Sequence, residues 1–318
     1  MLTLDFINVG NGDATLLRDT DAGFAILVDC GHYALQRDDH PGELDPRSRR
    51  IFAGDFLREA GVTHLDILLL THFHRDHVGG LGRVLDAASV GTLVTTYVPP
   101  EGFGDLEPDA DNGLNPTARN VLRCMNIYAS ALRTHPGRVR ELVELPGTRT
   151  EFLQLTDELS MEIYCSEAGL YQHQKRIFDD AFRGVRDRYT LMRWGKFMNA
   201  SSLRQRLYYH GKQIVLGGDL YGALWDRDTT APCDILKLPH HGSLSSVNRK
   251  FLSQIRPKTV VVSVAGGRPD ERPHPYIVGL LREFTDDIRF TDAVAIPGLV
   301  EPVFQKSVHL EITKEAAQ

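Results

Sequence analysis

The chain has 318 residues, of which 42% are hydrophobic and 25% are charged. This balance excludes extensive disorder and supplies enough apolar residues for a globular core. The formal net charge of −6 argues against non-specific binding to duplex nucleic acid, which depends on bulk neutralisation of phosphates.

Membrane insertion and a disulfide framework are both poor interpretations of the sequence. The longest apolar run, near Ile67–Leu70, is the size of a strand and far shorter than the roughly 20 residues of a membrane helix. Met1–Gly10 lacks a basic segment, so we expect a first strand there and no signal peptide. The cysteines show no paired spacing, which favours a reducing, cytoplasmic environment. They are Cys30, Cys124, Cys165 and Cys233.

The first half of the chain predicts short strands followed by strand–helix alternation. The nearly continuous apolar run Leu65–Leu70 is typical of a strand buried on both faces. Before it we predict strands over Leu2–Ile7, Ala14–Leu17 and Phe24–Val28 and a helix over Arg49–Ala60. After it we predict the helix Gly80–Ala88, the strand Thr92–Val98, a loop over Pro99–Asn115 and the helix Thr117–Leu132.

The second half predicts a similar mixture of hairpins and strand–helix units. The strands are Met161–Tyr164, Leu203–Tyr209, Gln213–Leu216, Ile235–Leu238, Thr259–Val264 and Val308–Ile312, and the helices are Val247–Ile255 and Tyr276–Phe284. Such mixed connections predict an α/β sandwich with mixed sheets inside and helices outside. No domain boundary is evident. We therefore expect a single domain over 1–318, with loop and helical excursions near 99–135 and 167–198.

The densest cluster of chemically active residues follows the predicted strand Leu65–Leu70 directly. His72, His74, Asp76 and His77 place four potential metal ligands within six residues. Imidazole and carboxylate ligands suit Zn²⁺, and also iron and Mn²⁺. The end of a strand is where α/β proteins build their sites, so the pattern favours a metal site over a polar loop of unrelated histidines.

Six motifs in order resemble the soluble hydrolase domain of ComEC competence proteins, a branch of the metallo-β-lactamase-fold hydrolases, here without a membrane channel. They are Val9-Gly10-Asn11-Gly12-Asp13-Ala14, Asp29-Cys30-Gly31, the His72–His77 cluster, Asn199-Ala200-Ser201-Ser202-Leu203, Gly218-Asp219 with Pro239-His240-His241-Gly242-Ser243, and His274-Pro275. The resemblance implies a four-layer αββα sandwich covering the whole chain.

The resemblance also implies two divalent metal ions per chain, zinc or manganese. His72 and His74 would bind the first ion, and Asp76 and His77 the second. Asp219 would bridge both ions through one carboxylate. Asp76 would be catalytic as well as a ligand, because paired ions activate a shared water for attack.

Several ligand assignments stay open. The wider fold supplies a third histidine to the first ion, where this sequence has Asn199. His274 is the expected further ligand of the second ion, with His240 and His241 as alternatives. If they are not ligands, His240 and His241 would act on the substrate as catalytic residues, one of them contacting an oxyanion.

The residues around these ligands have two possible roles each. Asp13 and Asp29 are expected to accept hydrogen bonds from liganding histidines, although turn capping is an equal interpretation. Ser243 would begin a helix that binds an anion, or would only cap it. Arg183 and Arg186 lie in a basic segment that would either present guanidinium groups to phosphate or form a solvated amphipathic helix.

The branch favours a phosphodiester substrate, either a nucleic acid or a nucleotide, hydrolysed by a metal-bridged water. A phosphodiesterase or nuclease is therefore our first hypothesis. The alternative is a metal-dependent hydrolase of a carboxyl ester, lactone or amide, because the fold alone does not name the substrate. A third hypothesis is a catalytically idle, metal-stabilised binding module.

Overall fold

The computed structural model describes residues 1–35, 46–108, 113–145, 150–225, 231–266 and 272–314. Part of the predicted loop at 99–115 therefore lies outside the described residues. The strands are β1 Leu2–Ile7, β2 Thr15–Asp19, β3 Phe24–Val28, β4 His64–Leu69, β5 Ser89–Thr95, β6 Val139–Glu144, β7 Thr150–Gln154, β8 Leu159–Tyr164, β9 Arg204–Tyr209, β10 Lys212–Leu216, β11 Ile235–Lys237, β12 Thr259–Val262, β13 Asp287–Phe290 and β14 Ser307–Ile312.

The helices mostly follow strands of the parallel parts of the sheets. They are α1 Ala53–Glu59, α2 Arg75–Val78, α3 Leu81–Ala87, α4 Pro116–Thr134, α5 Ala168–Phe182, α6 Arg188–Phe197, α7 Gly222–Trp225, α8 Arg249–Ile255 and α9 Pro275–Leu281, with 3-10 turns at Met198–Ser201 and Pro239–Gly242. None of the helices in the described ranges is long and apolar enough to cross a membrane.

The described strands form two seven-stranded mixed sheets. The first has the order β14-β1-β2-β3-β4-β5-β6 and the second β13-β12-β11-β10-β9-β8-β7. In the first sheet, β14 to β3 pair antiparallel and β3 to β6 pair parallel. The second sheet repeats this arrangement, with antiparallel pairs from β7 to β10 and parallel pairs from β10 to β13.

Three apolar clusters divide the molecule into four layers. Leu69 and Phe6 of the first sheet share the middle cluster with Leu207 and Leu216 of the second, so the two sheets pack face to face. The opposite face of the first sheet packs against α1, α3, α4, α5 and α6. The outer face of the second sheet is covered by α8 and α9. This arrangement confirms the predicted αββα sandwich.

The buried strands were predicted from the sequence, whereas three edge strands were not. The predicted run Leu65–Leu70 corresponds to β4, which is buried along most of its length. β6, β7 and β13 were missed because most of their residues are exposed or half-buried, and each forms one edge of its sheet. Edge strands carry little continuous apolar signal.

The two sheets are joined at one end by a buried ion pair. The Arg50 Nε donates to Asp292 Oδ2 at 2.8 Å, and Asp292 Oδ1 accepts from Asn8 Nδ2 at 3.1 Å. Asn8 follows β1 and Asp292 follows β13, so this contact connects both sheets. Burial opposes ionisation of Asp292, but the Arg50 charge together with hydrogen bonds from the backbone and from Asn8 outweighs it and lowers the pKa of the carboxyl group.

We predict that Asp292→Ala lowers the free energy of unfolding by about 3–5 kcal/mol, because it leaves the Arg50 guanidinium buried without its counter-charge. The matched control is Asp55→Ala, which breaks the exposed Arg58–Asp55 pair and should cost about 1 kcal/mol or less. Urea unfolding measures both changes. Equal losses of stability in the two variants would show that the Arg50–Asp292 pair contributes no more than an exposed ion pair.

Candidate metal centre

The predicted site residues gather where the parallel strands of both sheets end. Asp29 follows β3, His72 follows β4 and Asp219 follows β10. His240 and His241 follow β11 in a 3-10 turn. Because parallel strands end at one edge of a sheet, side chains distant in sequence meet there.

Two glycines let the backbone approach closely at this edge. A Cβ on Gly12 would lie 2.2 Å from the Asp76 carbonyl oxygen, so only glycine fits against the histidine motif. Gly218 has a φ of 50°, and a Cβ there would lie 2.3 Å from Ser202 Oγ. That hydroxyl accepts from the Asp219 backbone N–H at 3.0 Å, which fixes the start of the Asp219 turn.

Asp29 connects β3 to the histidine motif. Its Oδ1 accepts from the Thr71 backbone N–H at 2.8 Å. Its Oδ2 accepts from Thr71 Oγ1 at 2.8 Å and lies 2.7 Å from His77 Nδ1. A proton on His77 Nδ1 leaves Nε2 free to bind a metal ion.

Potential ligand atoms form two groups that share one carboxylate. One group contains His72, His74 and Asp219, and the other contains Asp13, His77, Asp219 and His241. Within each group the ligand atoms lie within 4.8 Å of one another. Asp219 is the residue common to both, as expected of a bridging carboxylate.

The distances around Asp219 show how one side chain reaches both groups. Its Oδ2 lies 3.9 Å from His72 Nε2, and its Oδ1 lies 3.3 Å from His77 Nε2. His241 Nε2 is 3.5 Å from the same Oδ1. Asp76, outside both groups, places Oδ2 3.3 Å from His241 Nε2.

Three of these atoms are buried without a hydrogen-bond partner among the described residues: His77 Nε2, His241 Nε2 and Asp219 Oδ1. A buried polar atom without a partner costs about 1–3 kcal/mol. Here the three atoms converge, and they are the donor types that Zn²⁺ prefers. The side chains present therefore fit a divalent ion at this position.

The charged states of the histidines differ across the site. Burial lowers the pKa of His72 well below its usual value, and the neighbouring His77 and His74 lower it further. Burial also opposes the charged form of His77, but the Asp219 and Asp29 carboxylates outweigh it and raise the pKa. A neutral His72 is the form that coordinates a metal.

Lys237 is a buried cation that the sequence analysis missed. It is the last residue of β11 and pairs with Asp13 Oδ2, which holds that carboxylate beside His241. Asp13 Oδ1 lies 3.6 Å from His241 Nδ1. A lysine within the apolar run Ile235–Leu238 was the available signal, because lysine is almost never fully buried without a partner.

His240 lies beside the two groups and has its own set of contacts. Its Nδ1 is 2.9 Å from Ser243 Oγ, and its Nε2 accepts from Asn199 Nδ2 at 3.1 Å. Arg272 also donates to Nε2, at 3.0 Å. Burial lowers the pKa of His240 to about 4, so the ring is neutral near pH 7.

The tandem histidines are held in an unusual backbone conformation. His240 and His241 have φ values of 48° and 54°, in the left-handed region. Non-glycine residues there cost of order 1–3 kcal/mol each, a cost that is common at functional sites. The turn directs His241 Nδ1 to the Ser263 carbonyl oxygen at 3.0 Å.

Some predicted residues lie at the edge of this arrangement. His274 is in neither donor group; it caps α9, where its Nδ1 accepts from the Tyr276 N–H at 3.2 Å. Ser243 does not begin a helix, because α8 starts at Arg249, and its hydroxyl instead contacts His240. Asn199 contacts His240 through its amide nitrogen.

Arg183 and Arg186 lie in the turn between α5 and α6. The Arg183 side chain is 69% exposed and pairs with Asp180, while Arg186 donates to the Glu107 carbonyl oxygen at 3.3 Å. Neither of these contacts is to a residue of the two donor groups, so they lend no support to the predicted phosphate role.

We predict that Asp29→Ala weakens zinc binding at the His77 group by about 10- to 100-fold, because the ring loses the acceptor that orients it. Calorimetric titration of metal-free protein measures the affinity. Asp66→Ala is the matched control, since Asp66 accepts from the Ala25 N–H on the same strand pair, β3 and β4. Equal affinities in the two variants would show that Asp29 does not orient His77.

Comparison with known proteins agrees with this architecture. The profile of the Metallo-beta-lactamase superfamily matches residues 7–123. ComE operon protein 3 of Bacillus subtilis is 25% identical over 299 residues, covering 91% of this chain and 32% of that protein. A ribonuclease Z of Mycobacterium avium is 36% identical over 108 residues, covering 32% of each chain.

The chain thus spans about a third of the length of these curated relatives. Among solved structures, the metallo-beta-lactamase fold protein YhfI of Bacillus subtilis aligns with a TM-score of 0.48 at 10% identity, covering 98% of this chain and 100% of that one. From the superfamily profile and the two packed mixed sheets, we conclude that this chain has the metallo-β-lactamase fold.

Proposed function

We propose that this protein is a metal-dependent hydrolase that cleaves phosphodiester bonds in nucleic acid or nucleotides. The observation that carries the proposal is the convergence of His77 Nε2, His241 Nε2 and Asp219 Oδ1, which are buried and unpartnered among the described residues. Such a set is costly unless it serves a ligand, so it supports a bound metal ion, and the turnover measurements below separate a hydrolase from an idle metal-stabilised module.

The proposed ligands follow from the two donor groups. His72 and His74 would hold one divalent ion, and His77 and His241 the other, with Asp219 shared between them and Asp76 beside His241. Zinc suits these donors best, and manganese is the alternative. Two such ions lower the pKa of a bound water and stabilise the attacking and leaving oxygens.

The residues around the donors would keep the site in its reactive form. Asp29 would hold the His77 ring, and the Lys237–Asp13 pair would hold the other side of His241. The neutral His240 accepts hydrogen bonds at Nε2, so it would position the groups that donate to it.

The phosphodiester assignment draws support from the relatives. One relative is named a ribonuclease Z, and its match covers 32% of this chain. Turnover measurements distinguish a phosphodiester substrate from the competing one, a carboxyl ester, lactone or amide. Bis-p-nitrophenyl phosphate, single-stranded DNA, RNA and cyclic nucleotides should be compared with p-nitrophenyl acetate and a lactone. Turnover of the carboxyl esters alone would overturn the phosphodiester proposal.

We predict that purified protein carries two Zn²⁺ or Mn²⁺ per chain, and that Asp219→Ala loses metal and phosphodiesterase activity together, because both groups lose a ligand. Asp76→Ala should lose metal chiefly from the His77 group. Elemental analysis and bis-p-nitrophenyl phosphate turnover measure these changes, with Asp66→Ala as the control. A fully active Asp219→Ala protein would rule out a dinuclear mechanism.

We further predict that His241→Ala reduces the metal content whereas His274→Ala does not, because His241 Nε2 faces Asp219 and His274 caps α9. Elemental analysis of both variants decides between them. Metal loss in His274→Ala with full occupancy in His241→Ala would restore His274 as the ligand.

A further inference from the structure

Arg272 is a cation directed at the metal centre. Its guanidinium donates to His240 Nε2 at 3.0 Å, and its side chain is half-buried. His240 Nε2 in turn lies 4.0 Å from Asp219 Oδ2, so one imidazole ring separates the Arg272 guanidinium from the shared carboxylate.

A second donor competes with Arg272 for the same acceptor. The Asn199 amide donates to His240 Nε2 at 3.1 Å. A neutral imidazole nitrogen offers one lone pair, so it cannot satisfy both donors well. N–H groups of Arg272 and Asn199 therefore stay available to another acceptor beside Asp219.

That spare donor capacity suits an anion with several oxygens. A guanidinium presents donors in a planar fork that matches two oxygens of a phosphate. A carboxyl ester is uncharged and offers one carbonyl oxygen, so it gains much less from a cation. A charged donor beside the metal ligands therefore favours phosphodiesters in both the bound substrate and the transition state.

We propose that Arg272, assisted by the Asn199 amide, binds the non-bridging oxygens of the scissile phosphate and so acts as a catalytic residue that selects phosphodiesters. This inference rests on the proposed function. His240 holds the guanidinium in place before the substrate arrives, and the substrate phosphate then replaces the imidazole as its acceptor. No motif pointed to Arg272, because it lies outside the six family-like segments.

The test compares Arg272→Ala and Arg272→Lys with Arg58→Ala, which removes an exposed arginine from α1. Arg272→Ala should lower kcat/KM for bis-p-nitrophenyl phosphate by about 10²- to 10³-fold with unchanged metal content. Arg272→Lys should fall between Arg272→Ala and wild type, because it keeps the charge but loses the fork. Added guanidinium chloride should partly restore the Arg272→Ala enzyme, an effect that a purely structural role would not give.

Binding of inorganic phosphate to the zinc-loaded protein provides an activity-independent measurement. Calorimetry should show weaker binding in Arg272→Ala and no change in Arg58→Ala. Unchanged kcat/KM and unchanged phosphate affinity in both Arg272 variants would overturn the inference and leave the proposed function standing. If wild-type protein cleaves no phosphodiester, the proposed function fails, and phosphate binding still decides whether Arg272 holds an anion.

Discussion

The Asp29 carboxylate is the contact on which the rest of the site depends. It accepts hydrogen bonds from the Thr71 backbone and hydroxyl groups and lies 2.7 Å from His77 Nδ1. It thereby joins the end of β3 to the segment after β4. The parallel strands bring Asp29 to this edge, and Asp29 turns the His77 ring towards Asp219. Fold and coordination geometry are thus connected through one buried side chain.

The fold was predictable where burial leaves a periodic or continuous apolar signal. The run at β4 and the hairpin of β9 and β10 were found for that reason. The edge strands β6, β7 and β13 were missed because exposure removes the signal. The matching strand arrangement of the two sheets was also invisible, since pairing order depends on contacts between distant segments and leaves no local repeat.

The site was predictable in its residue types but not in its contacts. The six-residue histidine motif and the Gly218-Asp219 turn indicated a metal centre, and the structure brings these side chains together. Lys237 and Arg272 were not found, because a single cation in a strand or loop acquires its meaning only from its neighbours in space. Asn199 was singled out from the sequence, but its contact with His240 could not be predicted for the same reason. The order of the motifs favoured His274 over His241, whereas the structure places His241, after strand β11, with its Nε2 3.5 Å from Asp219 Oδ1.

At the centre of the proposed function, one carboxylate, Asp219, serves two metal ions, one beside His72 and His74 and the other beside His77 and His241. Anomalous diffraction from crystals of the zinc-loaded protein tests it most directly. The account predicts two anomalous peaks on opposite sides of Asp219, one bound by His72 and His74 and the other by His77 and His241. A single peak, or a second ion bound by His274 in place of His241, would contradict it.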